Sequence, residues 1–117
     1  MGAPVMQWQM LSNTPDELAK FYAQLFGWKV NADNAMGYRA IDTASRQGIQ
    51  GGIWPAPPQA HTFTQLFIAV PDVSATFNRA VEMGAKPLVP PQKLPDGDEM
   101  AILHDPQGMS FGLMKAR

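Results

Sequence analysis

The feature that most constrains this chain is that its two halves keep the same beat. A glycine closes a helical pattern at Gly27 and again at Gly84, 57 residues later. Gln7 and Gln65 are 58 apart, and each stands about 20 residues before its glycine. Gly48-Ile-Gln-Gly-Gly52-Ile and Gly108-Met-Ser-Phe-Gly112-Leu are offset by 60. Near-constant offsets over three landmarks point to an internal duplication, with repeats over roughly 4–54 and 62–115 of one domain, residues 1–117.

The first copy begins with a strand pattern at Val5, followed by a helix opened by Thr14-Pro15-Asp16-Glu17. Thr14 is a suitable cap, Pro15 suits the first turn, and the two acids favour the positive end of the helix dipole. Leu18, Phe21, Tyr22, Leu25 and Phe26 recur at spacings of three and four, which predicts a packed helix face. Gly27 stops the helix, and residues 28–30, 38–42 and 48–54 read as three strands. The second copy repeats the order: a strand over 62–70, a helix over 72–83 with Asp72 as its cap and Phe77, Ala80 and Val81 on one face, then strands over 86–89, 99–104 and 109–115. Pro90-Pro91 is expected to end the first of these three. The segment 54–60 contains three prolines and is expected to be an extended link. The fold class that follows is α+β: two tandem βαβββ units forming a curved eight-stranded mixed sheet around a cleft, with the helices outside.

Composition removes several functions. A net charge of −1 gives no electrostatic footprint for nucleic acid or an anionic membrane. No apolar run is long enough to span a bilayer, and the first residues do not read as a signal peptide, so the expected home is cytoplasmic. The absence of cysteine removes disulfides, thiol catalysis and thiolate metal sites.

Strand side chains alternate faces. Met6, Trp8 and Met10 are therefore expected to look toward the helix. Gln7, Gln9, Gln50 and Gln65 project to the other face, with Trp54, Phe67, Ser110 and Met114. Buried amides without partners cost about 1–3 kcal/mol each. Such a face suits either a cleft that takes a ligand or a cleft closed by amides bonding one another. Apolar walls with a few convergent polar groups describe a small-molecule pocket. The expected ligand-binding residues are Gln7, Gln9, Gln50, Trp54, Gln65, Phe67 and Met114. Tyr38 is either a donor to that pocket or a core aromatic. Amides do not titrate near neutral pH, which favours binding over acid–base catalysis.

The tandem unit, with Phe21-Tyr22-Ala23-Gln24-Leu25-Phe26-Gly27-Trp28 at the end of the first helix and Asp105-Pro106-Gln107-Gly108 before the last strand, resembles the vicinal oxygen chelate superfamily. That group includes glyoxalase I, bleomycin and fosfomycin resistance proteins and extradiol dioxygenases. The resemblance implies a divalent cation held by His or Gln on the first strand of each half and Glu on the last. Counting back 14 residues from Phe21 and from Arg79 gives Gln7 and Gln65, the weak metal candidates. The positions of the two acids read as Gly52 and Gly112, or Gln50 if the first half slips by two. Neutral amides and glycines supply no negative charge for a hard cation or for zinc, so no metal cofactor is expected. His61 lies four residues before Gln65, about 13 Å along a strand, and His104 stands at a strand end. The resemblance implies a glyoxalase- or bleomycin-resistance-like protein that binds a small organic molecule and pairs as a homodimer. The alternative is a metal-dependent lyase, isomerase or dioxygenase of glyoxalase type.

Overall fold

The computed structural model describes residues 2–58 and 61–116. Eight strands and two helices make an open mixed sheet of α+β class. The chain divides into two units, Gln7–Thr64 and, from Gln65 onward, the second half together with the first residues of the chain.

In the first unit, β1 (Val5–Ser12) leads to α1 (Pro15–Phe26), then β2 (Lys29–Asn31), β3 (Arg39–Asp42) and β4 (Gly51–Pro55). Its strand order is β2-β3-β4-β1, with β1 and β4 parallel and the other pairs antiparallel. Pro15 occupies the start of α1 as expected, but the Thr14 side chain makes no capping bond. The hydroxyl of Ser12, 2% exposed, instead accepts from the Thr14 N–H at 3.0 Å and shapes the entry. Gly27 closes the helix in the left-handed conformation, φ 73°, with its N–H on the Ala23 carbonyl. That turn returns the chain so that Trp28 stacks on Tyr22 at 5.4 Å and meets Phe26 and Trp8 at 5.3 Å. The core between helix and sheet is Ala19, Ile41 and Ile53, with Trp8, Met10, Leu18 and Trp28 packed on it. Phe21, Leu25 and Phe26 are 56–58% exposed. The apolar pattern of α1 is therefore wider than the face it buries, and the expected packing of Phe21 is corrected. Met6, expected against the helix, is exposed as well.

The second unit repeats the order: β5 (Phe63–Val70), α2 (Val73–Glu82), β6 (Lys86–Lys93), β7 (Glu99–His104) and β8 (Ser110–Lys115). Its order is β5-β8-β7-β6, with β5 and β8 parallel and the rest antiparallel. Asp72 caps α2, its carboxylate accepting from the Ala75 N–H at 3.0 Å. Val70, Val73, Phe77, Ala85, Ala101, Leu103 and Leu113 form the core, while Val81 is exposed. The expected break at Pro90-Pro91 does not occur. Strand β6 runs through both prolines because it is an edge strand, and its register against β7 shifts on either side of Val89. Irregular pairing at an edge tolerates residues without an N–H.

The proline-rich link is partly sheet. Trp54 and Pro55 belong to β4, the Ala56 N–H continues the ladder to the Ser12 carbonyl at 2.8 Å, and Asn13 donates to the Pro58 carbonyl at 2.9 Å. Residues 59 and 60 of the expected link lie outside the described residues.

Candidate functional site

Both helix-side cores use one face of each strand. The opposite face carries the polar residues singled out above, and each half is built on the same register.

In the first half, Gln9 on β1 pairs with Gly52 on β4, and Gly52 pairs in turn with Ala40 on β3. Gln9 is 4% exposed, and its Oε1 accepts from the Trp54 indole N–H at 2.5 Å. Tyr38 lies against Trp54, ring centroids 4.6 Å apart. Its hydroxyl end fills the space beside Gly52: a Cβ there would sit 1.9 Å from the phenol oxygen. Burial pushes the Tyr38 hydroxyl up to about 12, because the phenolate would lose water without gaining a cation. Gln7 is half-buried on the same face. Gln50 departs from the expectation. It precedes β4, is exposed, and closes the β3–β4 loop by accepting from the Thr43 N–H at 2.8 Å and donating to the Thr43 hydroxyl at 3.1 Å. Its amide serves the turn.

In the second half, cross-strand register sets out three rows. Phe67, Gly112 and Ile102 form the middle row, and Ala69, Met114 and Met100 the next. On the other side of the middle row, Gln65 bonds Ser110, which faces His104. Gln65 is 2% exposed; its Oε1 accepts from the Ser110 hydroxyl at 2.5 Å, while its Nε2 is buried without a hydrogen-bond partner. The Phe67 ring covers Gly112, where a Cβ would fall 2.4 Å from ring carbons. Each half thus places an aromatic ring over a glycine of its sheet face. His61 is exposed ahead of β5.

These residues do not fit a divalent cation. Gly52 and Gly112 offer no donor, and the space a carboxylate would need is taken by Tyr38 and Phe67. Gln65 has its oxygen on Ser110 and leaves an N–H group free, which repels a cation. Among the described residues no group of three or more His, Cys, Asp or Glu could hold a metal.

Ser110 and Tyr38 carry more of this geometry than the sequence ranked them for. Ser110 was visible by strand parity beside Gly112. The place of Tyr38 depends on a gap beside Gly52, which only the register of β3 on β4 creates.

A βαβββ unit used twice, with its first and last strands parallel, defines a glyoxalase-type fold. The chain belongs to the glyoxalase-like domain family, whose model matches residues 9–114, within the vicinal oxygen chelate superfamily. CFP32 of Mycobacterium tuberculosis and of Mycobacterium bovis, named as a candidate glyoxylase, is 32% identical to it across 98% of this chain. The chain spans about half, 46%, of that relative's length. Among solved structures, hypothetical protein BH1468 from Bacillus halodurans is similar at TM-score 0.69 and 12% identity, covering 100% of this chain and 96% of that one. A methylmalonyl-CoA epimerase from Streptomyces coelicolor, in complex with 2-nitronate-propionyl-CoA, is similar at TM-score 0.60 and 15% identity, covering 96% of both chains. At these identities the structures speak to the fold.

Proposed function

We propose that this domain binds a small organic molecule on the amide-bearing face of its sheet and does so without the metal of its superfamily. The observation that carries the reading is the burial, within each half taken by itself, of an amide beside aromatic rings: Gln9, 4% exposed, with Trp54 and Tyr38 in the first half, and Gln65, 2% exposed, with Phe67, Ile102 and Met114 on its face in the second. Neutral amides among aromatic and thioether groups fix the orientation of an uncharged or singly charged organic ligand by hydrogen bonds. They offer no general base near neutral pH. Gln7 adds a second amide to the face of the first half. The test is a fragment screen by ligand-observed NMR on the purified chain. Saturable binders lost on Gln9→Leu or Gln65→Leu substitution are expected; a broad library with no saturable binder sinks the reading.

A second reading, a metal-dependent lyase, isomerase or dioxygenase of glyoxalase type, is favoured by the name of the mycobacterial relative. The donor set described above counts against it. Elemental analysis of protein purified without chelator separates the two, with less than about 0.1 divalent metal per chain expected. About one metal per chain that also raises the melting temperature reverses the choice.

The reading includes a homodimer in the cytoplasm. Phe21, Leu25 and Phe26, each more than half exposed along one helix, support an apolar contact face. Light scattering is expected to give twice the chain mass, and Phe21→Glu to shift it toward the monomer.

A further inference from the structure

We propose that Tyr38 is a gate: its ring turns between the gap over Gly52 and a cavity beside that gap on the same face, and the open position uncovers Gln9 and Trp54. The use of the gate, admitting a ligand to Gln9, rests on the binding reading above; its motion does not.

The backbone around Tyr38 is pinned. A single side chain, Asn34, holds both of its polar groups: Oδ1 accepts from the Tyr38 N–H at 3.1 Å and Nδ2 donates to the Tyr38 carbonyl at 2.6 Å. The next residue, Arg39, is tied to the Asp16 carboxylate at 3.0 Å. Before it, Gly37 takes the left-handed φ of 72° that this turn requires. Tyr38 lies just outside β3 and is half-buried. With the backbone held on both sides, the freedom left is rotation about χ1 among its staggered wells.

In the closed position the phenol end lies beside Gly52 and the ring rests on Trp54. Toward the edge of the sheet is a cavity of about 360 Å³, lined by Lys29, Val30, Asn31, Ala40, Ile41 and Asp42. Register assigns it to the face of Gly52. Asn31, Ala40 and Gly52 form one cross-strand row, and Lys29 faces Asp42 in the next. Ile41 turns its side chain into the core under α1, yet no described residue of α1 lines the cavity, so it opens on the opposite face. Pockets of about 300–1,000 Å³ hold whole ligands, so this one takes a phenol ring. Ala40, between the two positions, puts only a methyl group in the way.

The two positions are close in energy. Closed, the hydroxyl is withdrawn from water, and burial pushes its pKa up to about 12. Open, it meets Lys29, Asn31 and Asp42. Turning outward exchanges a ring contact with Trp54 for hydrogen bonding of the hydroxyl, and these effects are of similar size. The second half has no counterpart, because Phe67 lies inside β5 and is 2% exposed. Once the ring leaves, the recess over Gly52 is flanked by Gln9 and Trp54, which bond each other.

The experiment follows hydrogen–deuterium exchange of the Trp54 indole N–H in the 15N-labelled chain, the signal being assigned by its loss in Trp54→Phe. This proton is held by Gln9 and its ring is covered by Tyr38, so its exchange reports opening. Its rate is expected to be nearly independent of urea well below the unfolding transition, while the amide of Ile53, 1% exposed in a central strand, follows global unfolding. Lys29→Phe fills the cavity from the edge strand without touching Gly52, and is expected to slow Trp54 exchange at least tenfold and leave Ile53 unchanged. Tyr38→Ala is expected to speed Trp54 exchange at least tenfold. If Lys29→Phe does not fold, Ala40→Val, which narrows the path between the two positions, replaces it. A wild-type Trp54 proton that exchanges only by global unfolding overturns the gate, as does an unchanged rate in the filled variant. Fragments whose binding requires Gln9 are expected to bind the filled variant at least tenfold more weakly, since the competent state is less populated. Equal binding overturns the gate and leaves the binding reading standing. Slowed exchange with no saturable binder in the wider screen overturns the binding reading and leaves the motion.

Discussion

Gly52 and Gly112 show how much a missing side chain can decide. Each leaves a gap on the sheet face, and each gap holds an aromatic ring, Tyr38 in one half and Phe67 in the other. Adding one carbon overfills a packed site and costs about 1–3 kcal/mol. Gly52→Ala and Gly112→Ala are therefore expected to lower stability by that amount in urea titrations, and Gly112→Ala should be partly rescued by Phe67→Leu. The same rings explain why Gly112→Glu is not expected to create a metal site. Tyr38 also makes stability depend on alkaline pH. Its folded-state value of about 12 lies above the ordinary 10.0, so between these values the unfolded chain gives up a proton that the folded chain keeps. Stability from this group is fully present below pH 10 and is lost as pH rises through 12. A two-unit shift corresponds to about 2.7 kcal/mol, reduced to roughly 1–2 for a ring partly in contact with solvent. The difference in unfolding free energy between wild type and Tyr38→Phe, measured from pH 9 to 11.5, should change in that direction.

At the scale of elements, entry and exit signals were read from sequence with mixed success, and the failures have a common cause. Pro15, Gly27 and Asp72 act locally and do what their chemistry predicts. Thr14 does not cap, since the Ser12 hydroxyl already binds the Thr14 N–H. Thr14→Ala should thus be nearly neutral in thermal unfolding, whereas Ser12→Ala and Asp72→Ala should each cost about 1 kcal/mol. The strand through Pro90-Pro91 was missed because an isolated sequence does not say which strand lies at an edge, and only an edge tolerates two prolines. Gln50 was placed on the face by parity, but β4 begins one residue later at Gly51. Parity holds only inside a strand, and an amide just outside one can turn to the loop.

For the whole molecule, the spacing of glycines and glutamines made the repeated βαβββ plan legible, because strand, helix and turn each leave a periodic or punctuating signal in the chain. Alternation also separated Trp8 and Met10, which meet the helix, from Gln9 and Gln65, which do not. The family likeness was likewise readable from residue identity at counted positions. The wider expectation at this scale is that chelator leaves the melting temperature unchanged in a thermal-shift assay, because among the described residues no group of three or more His, Cys, Asp or Glu is placed to hold a metal. The roles within the site were decided by tertiary structure alone. Whether an amide offers its oxygen or its nitrogen depends on which neighbour it meets across strands: Trp54 donates to Gln9 and Ser110 donates to Gln65. Those partners are 45 residues away in the chain in both cases. Sequence sets which groups are available and which face they share; register and packing set which lone pair or proton is left over, and that remainder is what a ligand meets.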